Sequence, residues 1–231
     1  MVPESLRQRF VRWRIDELLA KYSGLRLMPW PPGWVKLAGG LAFGAEGPSK
    51  ERIDDEYQIE LSIPDQFPDQ PPAVRETAGR IPPSYHKLDD GSLCLGSPTS
   101  LRLILAASPS LLRFVERCVI PYLYGRSHFE RHGTLPFGEL RHGEAGIRQD
   151  FASLFGTNCE ETIPEFVRLA AMRKRQANKQ ACPCGSRHRL GRCHHRRVNM
   201  LRDRLGRRWF STVGYNLRNN RTPTRHTQRS Q

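Results

Sequence analysis

Gly91-Ser92-Leu93-Cys94-Leu95-Gly96 places a single thiol between two glycines. In extended backbone, side chains alternate, so Leu93 and Leu95 share one face and Cys94 shares the other with Ser92 and the bare Gly96. A thiol on a small, polar face is within reach of a large partner. That access matters because the thiolate is the nucleophile, and apolar burial silences it. The competing reading is a structural cysteine beside a turn, since free Cys is among the most buried residue types.

Upstream, Tyr57 to Ile63 alternates apolar and polar residues without a fault, as a half-buried antiparallel strand does. Trp34 to Gly44 reads as an earlier strand and Glu46 to Lys50 as a turn. Phe67-Pro68-Asp69-Gln70-Pro71-Pro72 cannot be helix or strand, because three prolines fix φ and remove ladder donors. Ala73 to Thr77 supplies a further strand, and coil from Ile81 to Asp90 leads into the thiol segment. The pattern from Pro3 to Tyr22 predicts one N-terminal helix.

Downstream, Ser108-Pro109 is a hydroxyl cap with proline at the first helical position. Leu111, Leu112, Val115, Cys118 and Val119 then line one face, so Cys118 reads as core. Pro121 is expected to kink or end that helix. Gly138 to Gly146 is a polar loop, and Ile147 to Leu154 and Ile163 to Arg175 read as helices with Cys159 between them. Helix, antiparallel strands, an irregular loop and further helices make an α+β body.

Composition divides the chain. Residues 1–171 hold 20 Lys and Arg against 22 Asp and Glu, a net of −2; residues 172–231 hold 17 against 1, a net of +16, and the two make the +14 of the whole chain. Such asymmetry marks two units with different partners. A hydrophobic content of 38% suffices for one core rather than two large ones. No run of 18 apolar residues exists, and Met1 to Tyr22 lacks a secretory apolar stretch, so the expectation is a cytoplasmic chain without a membrane partner.

The sharpest spacing is Cys182-Pro183-Cys184-Gly185-Ser186, with eight residues between Cys184 and Cys193, and then His194. Three thiolates and an imidazole suit tetrahedral Zn²⁺, and a fully ligated ion leaves no place for reactive water, so the site reads as structural. About 14 residues bury too little to fold without the metal. His195 is the alternative fourth ligand, and adjacency leaves that choice open. The segment CPCGSRHRLGRCHH resembles the SEC-C zinc motif over its whole length. Beyond it, arginines interspersed with Trp209, Phe210 and Tyr215 form either a solvated tail or a surface for nucleic acid or an acidic partner.

The order of strand, FPDQPP, coil, GSLCL and Ser-Pro helix start resembles the ubiquitin-conjugating enzyme family over about residues 1–155. Phe67 to Pro72 is similar to that family's aromatic-Pro-x-x-Pro-Pro turn, and Gly91 to Leu95 to its active-site cysteine. The resemblance implies an acyltransferase carrying a protein C-terminus as a thioester on Cys94, with His86 as the retained histidine of the segment ahead of it. The family's Asn is absent: the corresponding residues are Tyr85-His86-Lys87-Leu88-Asp89-Asp90. An ionised Asp there repels an oxyanion, so backbone donors, Ser97, Thr99 or His86 would have to substitute, and thioester pick-up is better supported than aminolysis.

The insertion before Ser108 and the GELRHGEAGI loop resemble divergent bacterial members. The resemblance implies work beside an activating enzyme with a ubiquitin-like modifier, or with a cyclic-oligonucleotide synthase in antiphage operons. Glu139 and His142 are the candidate acid/base pair there, weighed against simply bracing a glycine-rich loop. Expected boundaries are 1–160 for the conjugating-like domain, 161–180 for a basic helical linker, 181–196 for the zinc motif and 197–231 for a basic tail. Two other uses compete: an inactive binding module on the same fold, and a zinc adaptor docking on nucleic acid.

Overall fold

The computed structural model describes residues 6–29, 34–137 and 143–219. It is an α+β chain in two compact units: Met1–Gly96 with Ile104–Glu139, and Ser97–Leu103 with Leu140–Gln231. The expected boundary at residue 160 falls inside the second unit, as does the charge divide at residue 171.

The first unit is built on a four-stranded antiparallel meander in the order β1 (Leu25–Met28), β2 (Trp34–Glu46), β3 (Arg52–Pro64) and β4 (Ala73–Glu76). The alternation read in Tyr57 to Ile63 is realised: Tyr57, Ile59, Leu61 and Ile63 are buried. Leu61 pairs with Leu37 on one side and with Val74 on the other. Phe67, in the turn after β3, is buried with its ring edge-on to Trp13 at 5.6 Å.

The N-terminal helix is two helices, α1 (Leu6–Trp13) and α2 (Ile15–Lys21), broken at Arg14 with φ 55°. Trp13 and Ile15 are both fully buried. Residues two apart project about 200° from each other on a continuous helix, so a break is needed to turn both inward.

The Ser-Pro helix start also differs from expectation. Ser97-Pro98, not Ser108-Pro109, opens a helix: Ser97 Oγ accepts from the Ser100 N–H at 3.0 Å, and α3 spans Pro98–Ala107. The next cap is Ser110, whose hydroxyl accepts from the Arg113 N–H. From there α4 (Leu111–Phe114), a π-helical turn (Val115–Val119) and α5 (Ile120–His132) follow without interruption. Pro121 ends nothing. The wide turn before it, in which the Ile120 N–H donates to the Val115 carbonyl, places Pro121 at the first turn of α5, where no N–H is needed. Cys118 is buried here, and burial pushes its thiol up to about 11.

A polar network joins β3 to α5. The Arg80 guanidinium donates to Asp55 at 2.7 Å and Glu130 at 2.6 Å and lies 4.1 Å over the Tyr57 ring. Ser127 Oγ donates to Asp55 at 2.7 Å. Arg80 holds the Asp55 carboxyl down at about 2.

The second unit has its own apolar cluster from α6 (Gly143–Phe155), α7 (Ile163–Ala171), the short α8 (Lys174–Ala177), α9 (His195–Leu205) and α10 (Arg207–Arg218). The rings of Phe151, Phe155, Phe166 and Phe210 meet at its centre. Part of the stretch expected as a linker is thus core: Ile163, Phe166, Val167 and Leu169 are fully buried. Most of the expected tail is helical too. Val198, Leu201 and Leu205, then Phe210, Val213 and Leu217, recur at helical spacing and are buried. Arg202 is buried without a carboxylate partner among the described residues, and donates to the Leu169 and Ala170 carbonyls, satisfying the buried C-terminal end of α7. The Gly143–Gly146 part of the expected loop is the first turn of α6; Glu139 and His142 lie outside the described residues.

Candidate metal centre and candidate thiol site

The cysteine-rich segment is held as a closed loop by its backbone. Ala181 and Arg189 form an antiparallel bridge, Cys182 N–H donates to the His188 carbonyl at 2.8 Å and Leu190 N–H to that of Gln180 at 2.8 Å. Fully buried Leu190 anchors the return, where a 3₁₀ turn over Leu190–Arg192 presents Cys193. Gly185, at φ 78°, makes the reversal that follows Cys184.

These constraints gather Cys182, Cys184, Cys193 and His194, whose ligand atoms all lie within 4.8 Å of one another. Cys184 Sγ is 3.4 Å from Cys182 Sγ and 3.5 Å from Cys193 Sγ. His194 Nδ1 is 3.2 Å from Cys182 Sγ and 3.1 Å from Cys193 Sγ. Such separations are the edges of a small tetrahedron, and the Cys₃His group is compatible with metal binding. The imidazole in the group is His194; His195 opens α9 with a buried Nδ1 that has no hydrogen-bond partner.

Two surrounding groups were not legible in the sequence. His194 Nε2 lies 3.4 Å from the Gly156 carbonyl, 38 residues away, which as an acceptor fixes the proton on Nε2 and turns the Nδ1 lone pair toward the sulfurs. Ser186 Oγ donates to Cys193 Sγ at 3.4 Å. Burial pushes the Cys182 thiol up to about 12. Cys184, although its own burial acts the same way, is brought down to about 6 by donors from Ser186 and the neighbouring thiols. Side by side, the sulfurs resist ionising together, and a dication relieves that conflict.

The thiol site is assembled differently. Leu93 N–H donates to the Val74 carbonyl at 2.7 Å, Cys94 N–H to that of His86 at 2.8 Å, and Lys87 bridges Leu93. The Cys94 segment is thereby tied both to β4 and to the preceding coil. Cys94 itself is half-buried. Its neighbour Ser92 is fully buried, donating to Asp90 at 2.5 Å, so the face expected to be small and open is open only toward Cys94 and Gly96. Asp90 is engaged in that turn.

His86 adopts φ 39°, a left-handed conformation held by the use of its carbonyl. The carbonyl also accepts from the Tyr122 hydroxyl at 3.3 Å, which reaches the Tyr85 carbonyl at 3.0 Å as well. Burial raises the Tyr122 hydroxyl well above its ordinary value, and the Tyr85 and Cys94 charges add to the shift. Tyr122 was not singled out from sequence; only the packing of α5 brings it here. Ser97 Oγ donates to Asp150 at 2.5 Å and Thr99 is buried, so both hydroxyl-bearing residues serve the start of α3.

No helix among the described residues is long and apolar enough to cross a membrane. No protein-family model, curated protein or solved structure matches the chain.

Proposed function

We propose that the first unit is a ubiquitin-conjugating-like acyl carrier in which Cys94 accepts a protein C-terminus as a thioester. The observation that carries this reading is the half-buried Cys94, held by backbone bonds at the end of an antiparallel sheet rather than sunk in the core. The meander, the proline-rich turn after β3 and the coil leading to Cys94 support it in the order the family resemblance implies. In the exchange, the Cys94 thiolate attacks the donor thioester carbonyl, a new carbon–sulfur bond forms, and the donor sulfur leaves as thiolate. Thioester exchange is nearly balanced, so no strong general base is required. In the second step an amine attacks, Cys94 leaves as thiolate and the amine's proton passes to solvent or a nearby base. His86 and Tyr122 position the segment through backbone contacts.

The donor would be an activating-enzyme-like partner loaded with a ubiquitin-like modifier, and the modifier or a cyclic-oligonucleotide synthase would supply the C-terminus. Zn²⁺ is the ion that best suits three thiolates and one imidazole; Cys182, Cys184, Cys193 and His194 would hold it as a structural ion.

A glycine-terminated peptide thioester tests the carrier. The wild type is expected to take up the peptide as an adduct that thiol reverses, Cys94→Ser as an ester that thiol does not reverse, and Cys94→Ala not at all. Uptake by Cys94→Ala equal to wild type, or none by folded wild type, leaves a binding module only.

A second reading is favoured by the surface of the second unit, where Arg173, Lys174, Arg175, Arg187, Arg189 and Arg192 are all exposed. We infer that these exposed cations bind polyanions such as single-stranded nucleic acid. The logarithm of the affinity for a single-stranded oligonucleotide should fall linearly with log salt, the affinity dropping about 300-fold or more between 50 and 200 mM for six or more phosphate contacts; salt-independent binding would refute it.

A further inference from the structure

Far from the cysteine-rich segment in sequence, and within the first unit, lies a second group of metal-ligating side chains. His128 and His132 stand one turn apart on α5, so both rings project from the same helix face. Glu51 comes from the turn between β2 and β3. The three ligand atoms lie within 4.8 Å of one another: His132 Nε2 is 3.0 Å from Glu51 Oε1, and His128 Nε2 is 3.7 Å from Glu51 Oε2.

The group is preorganised from both sides. The Tyr124 hydroxyl donates to the Glu51 carbonyl at 2.9 Å, fastening the turn to α5. The same turn is closed by the Gly47 N–H to the Glu51 carbonyl at 3.2 Å and the Lys50 N–H to the Gly47 carbonyl at 2.9 Å. Gly47 is required there, since a Cβ would fall 2.4 Å from the Tyr124 hydroxyl oxygen. The His128 side chain is only 11% exposed, and its Nδ1 lies 2.9 Å from the Thr134 carbonyl.

That last contact decides the chemistry. A carbonyl can only accept, so Nδ1 of His128 bears a proton and Nε2 is the ring atom turned toward Glu51, as Nε2 of His132 is. A cation seated between the two Nε2 atoms and the carboxylate would take the place of whatever protons stand there. The second-nitrogen hydrogen bond of His128 is the arrangement that metal-bound histidines show.

We propose that Glu51, His128 and His132 form a second divalent-metal site, for a borderline cation of the Zn²⁺ class, with two imidazoles and one carboxylate as protein ligands. Three ligands leave coordination open to water, unlike the filled Cys₃His group. Binding requires His132 to release its Nε2 proton or move it to Nδ1. This site stands independently of the acyl-carrier reading.

The test titrates Zn²⁺ into the full chain already holding one equivalent, with equilibrium competition against a chromophoric chelator. Wild type is expected to take up a second equivalent. His132→Ala and Glu51→Gln, both at partly exposed positions, should weaken it at least tenfold while retaining the first equivalent, and Cys184→Ser should lose the first but keep the second. A wild type that binds one equivalent only, or a second equivalent that His132→Ala and Glu51→Gln leave unchanged, overturns the proposal.

Discussion

On the structural-zinc reading proposed above, Cys184→Ser and His194→Ala are expected to lose tight Zn²⁺ binding and to have a second unit that melts far below that of zinc-loaded wild type, whereas His195→Ala keeps both properties. The segment from Cys182 to His194 has little to fold around other than its own ligands, with Leu190 as its one fully buried aliphatic anchor. Structural zinc contributes about 10–16 kcal/mol in small zinc-folded peptides, as much as the whole stability of an ordinary domain. Losing even roughly 3 kcal/mol of that lowers Tm by ~12–24 °C in a unit of about 100 residues. Stripping the metal from wild type with a chelator should lower the melting temperature of the second unit in the same direction. His194 Nδ1 stands within 3.2 Å of two sulfurs, while His195 belongs to the first turn of α9. Metal content and a melting scan on the three variants decide the matter, and loss of zinc from His195→Ala with retention by His194→Ala would sink the ligand assignment.

What could be read in the sequence was what depends on near neighbours. The alternation from Tyr57 to Ile63 fixes a face because side chains on a strand have period two, and those same residues are the buried ones. The Cys182 to Cys193 spacing likewise encodes a short closed loop that brings three sulfurs and one imidazole together. Ser-Pro chemistry was recognisable, but two copies of the signal lie within about a dozen residues, and Ser97 rather than Ser108 turned out to have its hydroxyl over the first helical turn. The helices α9 and α10 were hidden by composition: each buries three apolar positions at helical spacing among many arginines, and charge outweighed period. Arg14 could not be foreseen as a break, because the demand comes from Trp13 and Ile15 sharing one core. Glu51 and the α5 histidines are some 80 residues apart, and only the pairing of β2 with β3 and the Tyr124 contact bring them together. The choice between His194 and His195 needed the Gly156 carbonyl, which no local pattern names.

Phe155→Ala is expected to destabilise the second unit by about 3–5 kcal/mol and, in the same variant, to weaken zinc binding by roughly 10–100-fold. The first effect follows from position. Phe155 is fully buried, stacked on Phe166 at 5.0 Å and on Phe151 at 5.7 Å and tilted against Phe210 at 6.4 Å, so truncation removes transfer energy, leaves a cavity and breaks three ring pairs. The second follows from what comes next in the chain. Gly156 ends α6 at φ 71°, its N–H donating to the Ala152 carbonyl at 2.8 Å, and its own carbonyl holds His194 in the tautomer that offers Nδ1. Phe166 meets the His194 ring edge-on at 5.3 Å, so the ring that loses its stacking partner is also the one that braces the ligand. Phe210→Ala separates the two effects, since Phe210 lies in the same core at 6.4 Å from Phe155 but has no ring contact with His194. With competition run well below each variant's transition, Phe210→Ala should cost comparable stability and leave zinc affinity near wild type. Equal loss of affinity in both variants would mean that the core supports the ligand only through overall folding, and that the path through Gly156 carries nothing.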